Sequence, residues 1–312
     1  MGTILFLTST IVLTFAGMHF LPLLVSSSED LFVSVWYEYD VGTRFDNSYL
    51  TYVTDYALAA LTWGLAMVVR SRDASCALRN RCMGVLLCCC VSVVFGGLCH
   101  HFFLTINDLN TTLFRAMWTV CVGFVTITGA FIGSLGSHLS LLVERKKQTL
   151  TRFRVIVISD VFWIAWGLVF TCWVIVGGFS MKRPACDIFI AGITQTWPST
   201  YVFLALISNT WVPDCTKISG NSSSLRKQQY IENSRPITVG QLCMMFGFYL
   251  NAPLLFLYPF LASRELELEL GVINCLLHFW LAISWSLQGI GMILFCQAYS
   301  LNKIYIAGDI RM

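Results

Sequence analysis

Long apolar runs divide this sequence into segments that are each about as long as a membrane helix. After a first apolar stretch at residues 4–25, seven further runs cover residues 50–69, 83–105, 113–143, 155–178, 188–208, 239–262 and 271–298. A helix of about 20 apolar residues crosses the hydrocarbon core of a bilayer. The pattern therefore predicts an all-α, polytopic membrane protein with a bundle of seven transmembrane helices over residues 50–298.

The first 26 residues allow two interpretations. Their apolar run ends at Ser26-Ser27-Ser28, small residues that fit a signal-peptide cleavage site, although no Lys or Arg precedes the run. We expect residues 1–26 to be a signal peptide, and the alternative is a signal-anchor helix that is not cleaved. Residues 27–49 are then an acidic and aromatic extracytoplasmic lead-in, and residues 299–312 are a cytoplasmic tail.

Basic residues between the apolar runs set the predicted orientation. Arg and Lys are concentrated in three alternate loops, at residues 70–81, 145–154 and 217–235, and Lys182-Arg183 is the exception. Short loops rich in Lys and Arg are retained in the cytoplasm. We therefore expect an integral protein of the plasma membrane or an endomembrane, with its N-terminus extracytoplasmic and its C-terminus cytoplasmic.

The composition argues against a soluble protein and indicates which classes of partner to expect. The chain of 312 residues is 56% hydrophobic and only 12% charged, with a mean hydropathy of +0.70, whereas soluble domains are roughly 25% charged. The net charge of +3 comes from separate loops and forms no continuous basic patch, so we expect membrane lipid and no nucleic acid as a partner. Most of the 13 cysteines lie in apolar runs without a CxxC pair, which argues against a thiolate zinc site.

Polar residues inside three of the runs are predicted to lie at one level of the membrane. In the expected orientation, Asp55, the pair His100-His101, Asn274 and His278 all fall in the outer half of their helices. Imidazole groups from two helices beside a carboxylate are the groups that a zinc ion uses. We therefore expect His100, His101 and His278 as candidate metal ligands and Asp55 and Asn274 as candidate catalytic residues. Hydrogen bonds between helices are the alternative, and His100 and His101 cannot both face one site because neighbours differ by about 100° around a helix.

Two other polar groups lie deeper in the predicted bundle. His138 and Asp160 flank the second basic loop, so antiparallel packing of their helices predicts a structural pair or, alternatively, a proton-coupled step. Pro198 in the fifth run and Pro253 and Pro259 in the sixth predict bends or breaks in those helices, with the amide groups of Gln195 and Asn251 nearby. Interrupted helices with amide groups are typical of transporters, although kinks occur in many bundles.

The polar positions together resemble a known superfamily. The pattern of Thr54-Asp55, Gly96-Gly97, His100-His101, Trp118 and Asn274-x-x-x-His278 is similar to that of the seven-helix superfamily of alkaline ceramidases, progestin and adiponectin-type receptors and related membrane hydrolases. The resemblance implies an intramembrane zinc site, built by one His of the second helix and an HxxxH pair of the last, that hydrolyses lipid amides or esters. Asn274 stands where that pair has its first His, and glycines stand where a Ser precedes the histidine of the second helix.

These observations give one leading functional hypothesis and two alternatives. The resemblance implies a metal-dependent intramembrane hydrolase of lipid amides or esters with zinc as cofactor, or a non-catalytic relative of such enzymes. The outline of seven helices also allows a receptor, although no NPxxY or CWxP motif is present. A transporter with a polar intramembrane site is the remaining alternative.

Overall fold

The computed structural model describes residues 46–72, 74–144, 155–180, 187–208, 224–251, 257, 261 and 268–309. These ranges form helices and contain no strand. The helices are α1 (Tyr49–Arg70), α2 (Cys76–Phe102), α3 (Ile106–Leu109), α4 (Thr112–Glu144), α5 (Asp160–Ser180), α6 (Asp187–Ser208), α7 (Ser224–Asn251) and α8 (Leu270–Asp309). The predicted all-α class is therefore confirmed.

Within the described residues, five of these helices are long and apolar enough to cross a membrane: α1, α2, α4, α5 and α8. The chain is accordingly a multi-pass, integral membrane protein. The helices α6 and α7 occupy the other two predicted runs, but α7 begins at Ser224, well before residue 239. The helix α8 continues to Asp309 and so includes most of the segment predicted as a tail. The predicted signal segment at residues 1–26 lies outside the described residues.

The helices pack as a closed ring. In order around this ring, α4, α2, α1, α8, α7 and α6 each contact the next, and α6 returns to α4. The helix α5 packs against α4. The helices α1, α2 and α8, which carry the predicted polar residues, are therefore three consecutive members of the ring.

Small residues bring α4 close to α6. A Cβ atom added to Gly129 would lie 2.5 Å from the backbone oxygen of Thr194, so only glycine allows the observed separation. Pro198 lacks the backbone N–H that would bond to that oxygen within the helix. The indole Nε1 of Trp166 in α5 donates to it instead, at 3.2 Å. The helix thus continues through Pro198, with the freed carbonyl bonded by a neighbouring helix.

Asp160 joins three helices, but through partners that differ from the prediction. Its carboxylate accepts hydrogen bonds from Arg81 of α2 and from Ser134 of α4, the latter at 2.8 Å. Arg81 Nε also donates to Ser134 at 2.8 Å. Both oxygens of the Asp160 carboxylate are therefore hydrogen-bonded, one to Arg81 and one to Ser134. The sequence predicted His138 as the partner of Asp160, whereas the observed partner is the guanidinium group of Arg81, which reaches the start of α5 from α2.

Candidate functional site

The centre of the polar cluster is a pair formed by Asp55 and His278. His278 Nε2 lies 3.3 Å from Asp55 Oδ1, which joins α8 to α1 inside the bundle. On the other side of the imidazole ring, His278 Nδ1 lies 2.7 Å from the hydroxyl oxygen of Thr54. The Asp55 residue is only 4% exposed. The sequence predicted that these two residues would lie at one level of the bundle, and the structure places them in direct contact.

The neighbours of Thr54 decide which nitrogen of His278 carries a proton. The Thr54 hydroxyl lies 2.6 Å from the backbone oxygen of Leu50 and 2.9 Å from that of Thr51, and it donates its single proton there. It therefore accepts from His278 Nδ1–H. His278 Nε2 and Asp55 Oδ1 lie at ion-pair distance. A further proton on either atom would make the pair neutral, as an imidazolium with a carboxylate or as an imidazole with a carboxylic acid.

Asp46, which precedes α1, forms a second centre beside this pair. Its carboxylate accepts hydrogen bonds from Asn274 Nδ2 at 2.9 Å and from the Ser48 amide at 2.9 Å, and it also bonds to the Thr51 hydroxyl. Its backbone oxygen accepts from the Nδ1–H of His100. Asn274, predicted as a candidate catalytic residue, therefore uses its Nδ2 to hold the Asp46 carboxylate. A residue in the lead-in thus connects α1, α2 and α8.

The electrostatic state of Asp46 follows from these contacts. Burial raises the pKa of its carboxyl group, but hydrogen bonds from Thr51, Ser48 and Asn274 stabilise the carboxylate, and the pKa lies below its ordinary value. Asp46 was not predicted as a site residue. One feature of the sequence could have indicated it. Asp46 stands two positions before Ser48, the N-cap of α1, and an acidic side chain there can accept a hydrogen bond from the Ser48 backbone N–H.

His100 and His101 face different sides of α2, in agreement with their helical spacing. The His101 ring stacks on Tyr52 with centroids 4.2 Å apart, and its Nδ1 lies 3.3 Å from the Tyr56 hydroxyl. The His100 ring meets Trp118 edge to face at 5.5 Å. His101 is therefore part of an aromatic contact between α1 and α2, and only His100 belongs to the polar cluster.

The predicted zinc ligands do not form a metal site in this arrangement. His278 directs its two nitrogens at Thr54 and Asp55, and His100 directs Nδ1 at a backbone oxygen. Within the described part of the chain, no group of three or more His, Cys, Asp or Glu side chains is placed to hold a metal ion. As arranged here, the nitrogens of His278 and Nδ1 of His100 do not converge on one point where a zinc ion could bind.

The paired glycines of α2 allow α1 to approach closely. A Cβ atom on Gly96 would meet Asp55 Oδ2 at 3.7 Å, and one on Gly97 would meet a Tyr56 ring carbon at 2.8 Å. A side chain at Gly97 would push α1 away from α2, whereas a Cβ atom on Gly96 would make an ordinary van der Waals contact. Gly97 therefore allows the close packing of α1, which carries Asp55, against α2.

A separate amide cluster connects α4, α6 and α7. Asn251 Nδ2 donates to Gln195 Oε1 at 2.9 Å and lies 3.4 Å from Ser199 Oγ. Gln195 Nε2 donates in turn to the backbone oxygen of Val125 at 3.3 Å. The sequence predicted these two amide groups near the bends of their own helices, and the structure places them in direct contact with each other. Pro253 and Pro259 lie outside the described residues.

Hydrogen bonds also join α7 to α8 along their interface. Trp280 Nε1 donates to the backbone oxygen of Leu250 at 2.7 Å. Ser284 Oγ and Gln288 Nε2 both donate to the backbone oxygen of Gly247, at 2.8 Å and 3.3 Å. Since Trp280 follows His278 by two residues and Leu250 precedes Asn251, this interface links the two polar clusters.

Comparisons with protein-family models, curated proteins and solved structures give no match to this chain. The similarity to the ceramidase and receptor superfamily is therefore carried by the quoted positions alone. Any functional conclusion has to be argued from the geometry of the site.

Proposed function

We propose that this protein is a proton-coupled membrane transporter whose proton-binding group is the Asp55–His278 pair. The observation that carries the proposal is the contact of 3.3 Å between Asp55 Oδ1 and His278 Nε2 in a buried position. Ionisable residues within membrane helices are costly and are commonly used for proton relays and solute pathways.

The proton balance of the pair supports this use. With one proton between Oδ1 and Nε2, the pair is neutral overall, whichever atom carries the proton. Loss of that proton leaves a carboxylate facing a nitrogen lone pair, with a net negative charge in a medium of low dielectric constant. The two helices are thus attracted in one protonation state and repelled in the other, so a proton can bias the packing of α1 against α8.

The position of the pair indicates from which side of the membrane protons reach it. We propose that α6 and α7 complete seven spans and that the loop between α1 and α2 is cytoplasmic, since it carries Arg70 and Arg72. In that orientation Asp55 and His278 lie in the extracytoplasmic half of the membrane, below Asp46. Protons would then reach the pair from the extracytoplasmic side, past the Asp46 carboxylate, which stays ionised at neutral pH because its pKa is lowered.

The hydroxyl of Thr54 favours a second candidate, a hydrolase without a metal. The groups Thr54, His278 and Asp55 form a hydroxyl–imidazole–carboxylate series, the set used by enzymes that activate a hydroxyl nucleophile. This proposal retains the lipid amide or ester substrate implied by the resemblance. It is less well supported, because the hydroxyl proton is already donated to backbone oxygens and Nδ1 acts as a donor toward Thr54.

Charge movement after a pH jump tests the transporter. The full chain is reconstituted in liposomes on a solid-supported membrane, and the transient current is recorded when the bathing solution changes from pH 8 to pH 6. We expect the parent protein to give a current that Asp55→Asn abolishes. The matched control is Asp108→Asn, which removes a carboxylate at a partly exposed position and should leave the current unchanged. Equal currents from the parent and Asp55→Asn would refute the proton-binding role.

The hydrolase is tested in the same preparation. Liposomes that contain ceramide or phosphatidylcholine are incubated with the protein, and released fatty acid is measured. Release that is lost in Thr54→Val and His278→Gln would identify the enzyme. If the parent releases no more fatty acid than empty liposomes, the second candidate is wrong.

A further inference from the structure

Two cysteine thiols from different helices are in contact inside the bundle. The sulfur of Cys82, in the second turn of α2, shares a hydrogen bond with the sulfur of Cys296 in α8. Cys82 is 1% exposed, Cys296 is fully buried, and both are free thiols. Two thiols in contact can be joined by the loss of two electrons and two protons, which a single buried thiol cannot do.

The packing around the two sulfurs brings α2 close to α8. Cys82 and Cys296 belong to one cluster of buried residues, which also includes Ala66 of α1. Although α1 stands between α2 and α8 in the ring, Cα atoms of α2 and α8 approach each other within 8 Å. A disulfide spans about 4.4–6.8 Å between Cα atoms. Helices at this separation can be joined by a disulfide with a small adjustment of their packing.

The surroundings of the two sulfurs indicate which oxidant could act on them. Arg81 lies within electrostatic range of Cys82, and Arg79 lies within range of Cys296. Cationic neighbours favour a thiolate, which is the form of cysteine that oxidants attack. Because both sulfurs are buried, the oxidant must also be small and uncharged. Hydrogen peroxide meets this requirement, whereas a bulky disulfide such as oxidised glutathione does not.

We propose that Cys82 and Cys296 form a redox-active pair, which hydrogen peroxide converts into a disulfide between α2 and α8. One sulfur attacks the peroxide, whose O–O bond breaks, and a sulfenic acid and one water molecule are formed. The second sulfur attacks the first, the S–O bond breaks, and a second water molecule leaves. Two electrons pass from the sulfurs to the peroxide, and both thiol protons end in water. This chemistry does not depend on the proton-binding role of Asp55.

Peptide mapping after graded oxidation tests the pair. The full-length protein in lipid nanodiscs is reduced, freed of reductant, treated with hydrogen peroxide, unfolded in excess iodoacetamide and digested. Mass spectrometry then measures the peptide that joins Cys82 to Cys296 and the alkylated fraction of the other cysteines. We expect the joined peptide to form at peroxide concentrations that leave Cys90 alkylated. If it forms at no peroxide concentration, or only after Cys90 is oxidised, the proposal is refuted.

Substitutions separate the pair from general oxidation of thiols. Cys82→Ala should abolish the joined peptide and leave Cys296 as a sulfenic acid, which dimedone traps. Cys90→Ala is the matched control, because it removes a buried thiol of α2 whose sulfur lies 3.5 Å from the backbone oxygen of Ala59. This control should form the joined peptide as the parent does.

The stability of the oxidised protein gives a second measurement. A disulfide between α2 and α8 restricts the unfolded chain, so the oxidised parent should unfold at a higher Tm than the reduced parent. Dithiothreitol added after oxidation should remove the difference. A rise of equal size in Cys82→Ala would contradict the assignment of the stabilising bond. If Cys82→Ala does not fold, the peptide map of the parent still decides the proposal.

Discussion

Asn274 Nδ2 donates a hydrogen bond to Asp46 Oδ2 across 2.9 Å. This contact joins the first turns of α8 to the residues that lead into α1. Through it, Asn274 holds the Asp46 carboxylate in place near the Asp55–His278 pair. The start of α1 is thus attached to α8 by an amide and to α2 through His100.

Replacing Asn274 should release the start of α1. Asn274→Ala removes one of the donors to the Asp46 carboxylate, and hydrogen bonds between membrane helices contribute about 0.6 kcal/mol on average and up to about 1.7 kcal/mol. We expect a loss of stability in this range, together with faster amide hydrogen exchange at residues 46–52. Asn107→Ala, at an exposed position, is the control and should change neither quantity. Unchanged exchange in Asn274→Ala would mean that the contact does not hold the segment.

Acidification should weaken the same attachment. The folded-state pKa of Asp46 is lowered by its hydrogen bonds, and the unfolded value of an Asp is about 3.9. The stabilisation is therefore fully present above the unfolded pKa and is lost as the pH falls through the lower, folded pKa. We expect the exchange protection of residues 46–52 to be constant from pH 7 to about pH 5 and to decrease below about pH 4. Asp46→Asn should lack this dependence, and a parent protein without it would contradict the assignment.

The hydropathy pattern predicts the helices α1 and α8 and the shared site of Asp55 and His278. Hydropathy reports whether a segment prefers lipid to water, so the apolar runs at residues 50–69 and 271–298 coincide with α1 and the apolar part of α8. A carboxylate and an imidazole in such segments have few possible partners. The polar pattern therefore predicts that Asp55 and His278 share one site.

Other contacts depended on information that a hydropathy pattern does not contain. Asp46 contributes through the path of the chain before α1, which no periodicity describes. The expected bond between Asp160 and His138 assumed that neighbouring helices supply the partner, but Arg81 reaches Asp160 from α2. Long side chains at helix ends can cross between helices, and their partners follow from packing alone.

Two glycines offer a matched test of the packing. A Cβ atom on Gly129 would lie 2.5 Å from the Thr194 oxygen, whereas one on Gly64 would meet nothing within 4 Å. Gly129→Ala should therefore force α4 away from α6 and reduce stability by about 1–3 kcal/mol. Gly64→Ala should leave stability unchanged or raise it by about 0.5–1 kcal/mol, because alanine favours the helix. Both are measured by unfolding in a detergent–denaturant titration, and equal effects would argue against the α4–α6 contact.

The ion pair of Arg81 with Asp160 should show energetic coupling between α2 and α5. The Arg81 side chain is 20% exposed and the Asp160 side chain is 45% exposed, so solvent screens the pair and a coupling energy of only about 0.5–1 kcal/mol is expected. The free energies of unfolding of Arg81→Gln, Asp160→Asn and the double variant give this value as a double-mutant cycle.

Arg79→Gln combined with Asp160→Asn is the control cycle, because Arg79 contacts Cys76 within its own helix. Its two effects should add. Raising the salt concentration should reduce the coupling of Arg81 with Asp160, since exposed charges are screened over roughly 10 Å at 0.1 M. Additive effects in the first cycle would indicate that Arg81 is held by Ser134 and that the carboxylate contributes nothing further to the contact.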